Sequence, residues 1–149
     1  MDDFAEKLND LLVDTFRSIL KVEEQMVNNM GSLNLSISEV HLLESVEKCG
    51  EAGGTVSELA KDLGITLSSV TVAVGKLVKK GYLSKSKTAA DGRLVHVTLT
   101  PRGAKVAHVH GRFHEQMVRE IAAELSDQEK RVLISGVAKL NQFFDRSVL

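Results

Sequence analysis

Residues 55–83 read TVSELAKDLGITLSSVTVAVGKLVKKGYL. Thr55 with Glu58 three positions on is a capping-box pattern, and Leu59, Ala60 and Leu63 then recur on one face of a short helix. Gly64 supplies a turn. Thr66 caps a second helix that runs to about residue 80 and turns Val70, Val74 and Leu77 inward, and Gly81 ends it. Helix, glycine turn, helix at this spacing is a helix-turn-helix. Residues 82–87 then read as a strand, 89–92 as a turn, and Leu94, Val95, Val97 and Leu99 as a returning strand with imperfect alternation. The expected fold is mainly α with a small β-wing: a winged helix-turn-helix.

Working outward, Phe4, Leu8, Leu11, Leu12, Thr15, Ile19, Val22 and Met26 recur at helical spacing and predict a long first helix from about 3 to 29, ended by Gly31. Ser38 is a good N-cap for a second helix, 39 to about 48, with Val40, Leu43 and Val46 inward. GEAGG, 50–54, reads as a connecting loop. Thr100 caps a helix that opens on Pro101 and runs to about 124, and Ser126 with Glu129 starts a last one, to about 145. The resulting division is an N-terminal dimerisation helix (1–34), a winged helix-turn-helix region (35–100) and C-terminal dimerisation helices (101–149), together one domain. Long helices flanking so small a head are hard to bury in a monomer. Their apolar residues fit a homodimer interface that presents two heads to adjacent turns of DNA.

Charge points to the partner. The net charge of −1 hides a segment, 76–105, in which Lys76, Lys79, Lys80, Lys85, Lys87, Arg93, Arg102 and Lys105 face a single acid, Asp91. A local cationic field beside a helix-turn-helix suggests double-stranded DNA. The start, MDDFAEKLND, lacks the basic-then-apolar pattern of a signal peptide, no apolar run is long enough to cross a bilayer, and Cys49 is the one cysteine. These features predict a cytoplasmic protein with no membrane partner. Cys49 itself reads as a small buried thiol.

Ser68, Ser69 and Thr71 come early in the second helix of the pair, on or beside the face opposite Val70 and Val74. Their hydroxyls can bond phosphate or base edges, and the Thr71 methyl can touch thymine; as a bland alternative they are solvated surface. No Arg, Asn or Gln appears early in this helix, so DNA shape must carry more of the readout. Arg93 at the wing can enter the minor groove, with Asp91 orienting it or setting an Asx turn. Lys85 and Lys87 alternate on one wing face toward phosphate, and Lys76 adds to the same field. Catalysis is the rival class, but no nucleophile motif surrounds any serine and GEAGG lacks the phosphate-loop pattern, so the chain is not expected to be an enzyme. A helical interaction protein that ignores DNA would leave the basic wing unexplained.

The segment SELAKDLGITLSSVTVAVGKLVKKGYL, followed by DGRLVHVTLTPRG with Asp91, Arg93, Leu99, Thr100 and Gly103 in register, resembles the multiple-antibiotic-resistance regulator (MarR) family. That family commonly has a second wing arginine where Gly92 stands here. Within it, VEE at 22–24, the helix start leading to His41, VTLTPRG at 97–103, HGRFHEQMVREI at 110–121 and LNQFF at 140–144 resemble its fatty-acid-synthesis repressors. The resemblance implies a homodimer on palindromic operators, no required cofactor, and long-chain acyl-acyl carrier protein as corepressor. An acyl chain would then lie along Phe16, Ile19, Leu20, Val109, Phe113 and Met117, residues that serve equally well as ordinary core.

His110 and His114 stand four apart on one helix face. With His41 and Glu23 they match, position by position, one metal site of the family's zinc-responsive repressor, which implies a zinc-binding alternative. That repressor's wider histidine cluster and its second-site cysteine near the end of the first helix are missing, while His108 and Glu24 are nearby substitutes. The other reading of the same residues is a hydrogen-bonded knot between the reading head and the dimer helices.

Overall fold

The computed structural model describes residues 2–31, 34–87 and 94–147. Among them are six helices and three short strands: α1 (Asp3–Asn29), α2 (Ile37–Lys48), β1 (Gly54–Thr55), α3 (Val56–Leu63), α4 (Leu67–Lys79), β2 (Leu83–Lys87), β3 (Val95–Leu99), α5 (Pro101–Ala123) and α6 (Asp127–Ser147). The architecture is the expected winged helix-turn-helix. The chain forms two compact units, Met1–His110 and Gly111–Leu149, with α5 running through the boundary.

In the first unit α2, α3 and α4 close around one core. Val40, Leu43, Leu59, Val70, Val74 and Leu77 are fully buried, and these are inward positions the periodicity predicts. Burying each such side chain contributes about 1.5–3 kcal/mol. Tyr82, Leu83 and Val97 extend this core under the wing, and Val106 and Ala107 bring α5 onto it. The wing is an antiparallel sheet in the order β1-β3-β2, registered Leu83↔Leu99 and Lys87↔Val95.

Local chemistry explains the boundaries. Thr55 and Thr66 cap α3 and α4 by accepting from the Glu58 and Ser69 N–H groups. Gly64, at φ 66°, takes the left-handed conformation that closes α3 and aims α4. Thr100 Oγ1 accepts from Gly103 N–H and donates to Gly81 O, tying the start of α5 to the end of the recognition helix. Gly103 permits that contact: a Cβ there would sit 2.1 Å from Tyr82 O.

Two local expectations are corrected. The N-cap of α2 is Ser36, not Ser38. Ser36 and Glu39 form a reciprocal capping box, satisfying two backbone donors where Ser38, already inside the helix, satisfies none. GEAGG is not wholly a loop either. Gly54 and Thr55 form β1 and pair with Val97 and His96, a two-residue pairing too short to leave a periodic signal.

The second unit holds the end of α5 and α6. Ser126 and Glu129 make the reciprocal capping box expected at the start of α6. Val132, Ile134, Phe143 and Phe144 are more than half exposed in the single chain, and α6 buries no residue. In the first unit α1 likewise leaves Phe4, Leu11, Phe16 and Ile19 uncovered.

Candidate nucleic-acid interface and histidine cluster

Helix α4 presents one face of its first two turns to solvent. Ser68, Ser69 and Thr71 are all exposed. Their hydroxyls differ in what the fold asks of them. Thr66 Oγ1 donates to Ser69 Oγ at 2.8 Å and lies 3.2 Å from Ser68 Oγ, forming a small hydroxyl cluster at the helix start. Thr71 Oγ1 donates to Leu67 O, which spends its proton on the backbone and leaves its methyl and oxygen lone pairs facing outward. Val72, absent from the sequence expectations, is 59% exposed beside them. An exposed valine on a recognition helix supplies the apolar contact that a thymine methyl takes. Its signal is an apolar residue off the Val70–Val74–Leu77 stripe.

A groove of about 660 Å³ runs along this face, lined by Ser36, Ser68, Ser69, Val72, Ala73 and Lys76, with Glu39 and Lys80 at one end. Lys76 is exposed on α4, and Lys85 and Lys87 are exposed on the same face of β2. Arg93, expected in the minor groove, and Asp91, expected to orient it or set an Asx turn, lie outside the described residues.

Two cations of the basic segment have another occupation. Lys80 Nζ donates to both Glu39 carboxylate oxygens, at 3.0 and 3.1 Å, and to Asn34 O at 2.7 Å. Burial alone pushes the Glu39 carboxyl up, but the Ser36 N–H and the Lys80 ammonium outweigh it and hold Glu39 below its ordinary value. Arg102 donates to Lys80 O at 3.0 Å and stacks 4.4 Å over the Tyr82 ring. Together they clamp the end of α4 against α2 and α5. Cys49 is half-buried as a small thiol, donating to Ser45 O; burial, with Glu58 and Asp62 nearby, pushes it up.

A second constellation lies where α1, α2 and α5 meet. His41 Nε2 is 3.1 Å from Glu23 Oε2, and His110 Nε2 is 3.7 Å from Glu23 Oε1. One ligand atom from each of Glu23, His41 and His110 lies within 4.8 Å of the others. In a tetrahedral zinc site with bonds of about 2.0 Å, ligand atoms stand roughly 3.3 Å apart, so the three donors would draw together by up to about 1.5 Å around the ion. Glu23 and His110 are buried, whereas the His41 side chain is 42% exposed and opens the cluster to solvent. The donor set fits a divalent cation. His114, one turn further along α5, belongs to the second unit and packs edge-on against Phe113.

The expected acyl-chain residues fall in both units. Phe16, Ile19 and Leu20 are exposed on α1 in the single chain. Val109 lines a cavity of about 290 Å³ with Met30, Val106, Arg102 and Lys105. Phe113 and Met117 are half-buried in the second unit.

Comparison with known proteins agrees with this architecture. The family described as transcriptional regulator SarA/Rot matches residues 27–109. The structure of Streptococcus pneumoniae FabT in complex with DNA is similar to this chain with a TM-score of 0.85 and 32% identity, covering 95% of this chain and 98% of that one. The transcriptional regulator AdcR of Streptococcus pyogenes is 30% identical over 115 residues, 74% of this chain and 75% of its own. A Staphylococcus aureus MepR–DNA complex shares the fold, with a TM-score of 0.71 at 19% identity over 87% of this chain and 94% of that one. The chain belongs to the SarA/Rot family of transcriptional regulators, within the MarR-type winged-helix class. It is a DNA-binding transcriptional regulator and not an enzyme, as the sequence leads one to expect. No helix among the described residues is long and apolar enough to cross a membrane.

Proposed function

We propose that this protein is a cytoplasmic, homodimeric repressor of fatty-acid-synthesis genes that binds a palindromic operator more tightly in the presence of long-chain acyl-acyl carrier protein. The observation that carries this reading is the likeness to DNA-bound FabT over nearly the whole of both chains. It joins the HGRFHEQMVREI and VTLTPRG segments that resemble fatty-acid-synthesis repressors. The uncovered apolar residues of α1, and separately those of α6, supply surface for a second copy of the chain. Val109, Val106 and Met30 line an apolar cavity that Lys105 also borders, a wall suited to an amphiphile with an anionic end. Val109 is the acyl-chain candidate in this cavity. Phe16, Ile19, Leu20, Phe113 and Met117 remain candidates for a chain bound in the dimer.

The test is fluorescence anisotropy of the metal-stripped protein on a palindromic duplex from a fatty-acid-synthesis promoter of its own organism. Acyl-acyl carrier protein is titrated under chelation, with a matched zinc arm. Tighter binding with the acyl protein alone is the expected result; no response to it rejects the lipid reading.

The cluster of Glu23, His41 and His110 supports a second reading, a zinc-responsive repressor. On that reading zinc would bridge helices α1, α2 and α5, fixing the reading head against the long helices. A zinc response abolished by His110→Ala, together with no acyl response, would establish it in place of the first.

A further inference from the structure

Glu44 stands one helical turn beyond His41 on α2 and carries no motif that singles it out. Its carboxylate makes a hydrogen bond with His110 Nδ1. His110 is fully buried on α5, so the position of its ring is set by what packs and bonds around it. In the neutral ring one nitrogen carries the proton, and an acceptor-only carboxylate at Nδ1 assigns the proton to that atom. Nε2 then presents its lone pair on the opposite edge, toward Glu23 Oε1 at 3.7 Å, with the His41 ring centroid 5.7 Å from that of His110. A carboxylate on one imidazole nitrogen and a cation on the other is the usual outer-shell arrangement of metal-binding histidines.

We infer that Glu44 is a positioning residue for a divalent-cation site formed by Glu23, His41 and His110: it holds His110 as the Nδ1–H tautomer and aims Nε2 at the cation. The inference rests on the zinc reading and adds a residue to it. It also gives that reading a route to the DNA-binding head. His41 and Glu44 share α2, and Ser45, beside Glu44, donates to Asp62 of α3 at 2.7 Å. Cation binding therefore acts on the same helix that braces the helix-turn-helix.

The experiment compares the metal-free full-length protein with its Glu44→Ala and Glu44→Gln variants, titrating zinc against a chromophoric chelator. The His110 tautomer is read from long-range proton–nitrogen correlations, and urea unfolding checks that each variant folds. The parent is expected to bind zinc and to carry the His110 proton on Nδ1 when metal-free. Glu44→Ala should weaken zinc about 10–100-fold. Glu44→Gln keeps an acceptor oxygen and should fall between the two. Unchanged zinc affinity in Glu44→Ala, or an Nε2–H tautomer in the parent, overturns the role of Glu44 while leaving the zinc reading standing. A parent that does not bind zinc removes the zinc reading and this inference together. The tautomer is measured on the parent, so a variant that fails to fold does not protect the proposal.

Discussion

The two ends of the recognition helix α4 are chemically opposite. At its start, Ser68, Ser69, Thr71 and Val72 lie exposed, with the Ser69 and Thr71 hydroxyls bonded within their own turn. At its end, Lys80 is gripped by Glu39, Asn34 and Arg102, while Gly81 and Tyr82 are held by Thr100 and the close approach of Gly103. One end is free to meet a ligand; the other is built into the protein. The lesson concerns charge. Lys80 and Arg102 sit in the same basic segment as Lys85 and Lys87, yet they serve the fold, so the cations seen in sequence overstate those available to phosphate.

The clamped end is broken most severely at Gly103. Gly103→Ala forces a Cβ into Tyr82 O, and we expect about 3 kcal/mol of destabilisation in urea unfolding, at the upper end of overpacking costs. A fully stable Gly103→Ala variant would show that the clamp yields easily. Next in size, Lys80→Met should cost about 1–3 kcal/mol, because it strips partners from Glu39 and the Asn34 carbonyl. By comparison, Lys85→Ala should leave stability within about 0.5 kcal/mol. It should flatten the salt dependence of DNA binding by about 0.9 in log–log slope for each phosphate that the ammonium neutralises in the parent. Equal stability losses for Lys80→Met and Lys85→Ala would erase the distinction between the two groups of lysines.

At the exposed end, Val72→Ala should weaken an operator containing thymine at the contacted step by about 1 kcal/mol, with stability unchanged. Measuring the variant on thymine and uracil duplexes isolates the methyl contact, and an equal loss on both would place Val72 away from the base edges. The smallest effect is a pH dependence at the clamped end. Glu39 is held below its ordinary value, so its contribution to stability is present above the unfolded-state value and is lost as pH falls through the lower folded value. Glu39→Gln should therefore be less stable than the parent at neutral pH, and the gap should narrow on acidification below the ordinary carboxylate range. A gap that is constant with pH would mean that the Glu39 charge does not matter.

Much of the interface is legible along the chain because its elements are local. Thr66 announces a helix start, Gly64 a turn, and Val70, Val74 and Leu77 a buried stripe, each within a few residues of the feature it specifies. Ser36 was hidden behind Ser38 because both are capping residues, and only the reciprocal bond with Glu39 chooses between them. Glu44 was invisible for a different reason. Its partner His110 is 66 positions away, and nothing in the composition around Glu44 marks it as other than a helix-surface acid.

The sequence by itself determined the helix-turn-helix, its inward faces and the basic segment, since capping, periodicity and charge are properties of near neighbours. It also supplied Glu23, His41 and His110 as a candidate set through resemblance. Only the tertiary structure decided which cations are structural and that those three side chains converge. It also decided that Glu44 stands behind His110. Each of these depends on which distant helices pack together, because hydrogen bonds and ligand geometry act over about 3 Å in space, whatever the distance along the chain.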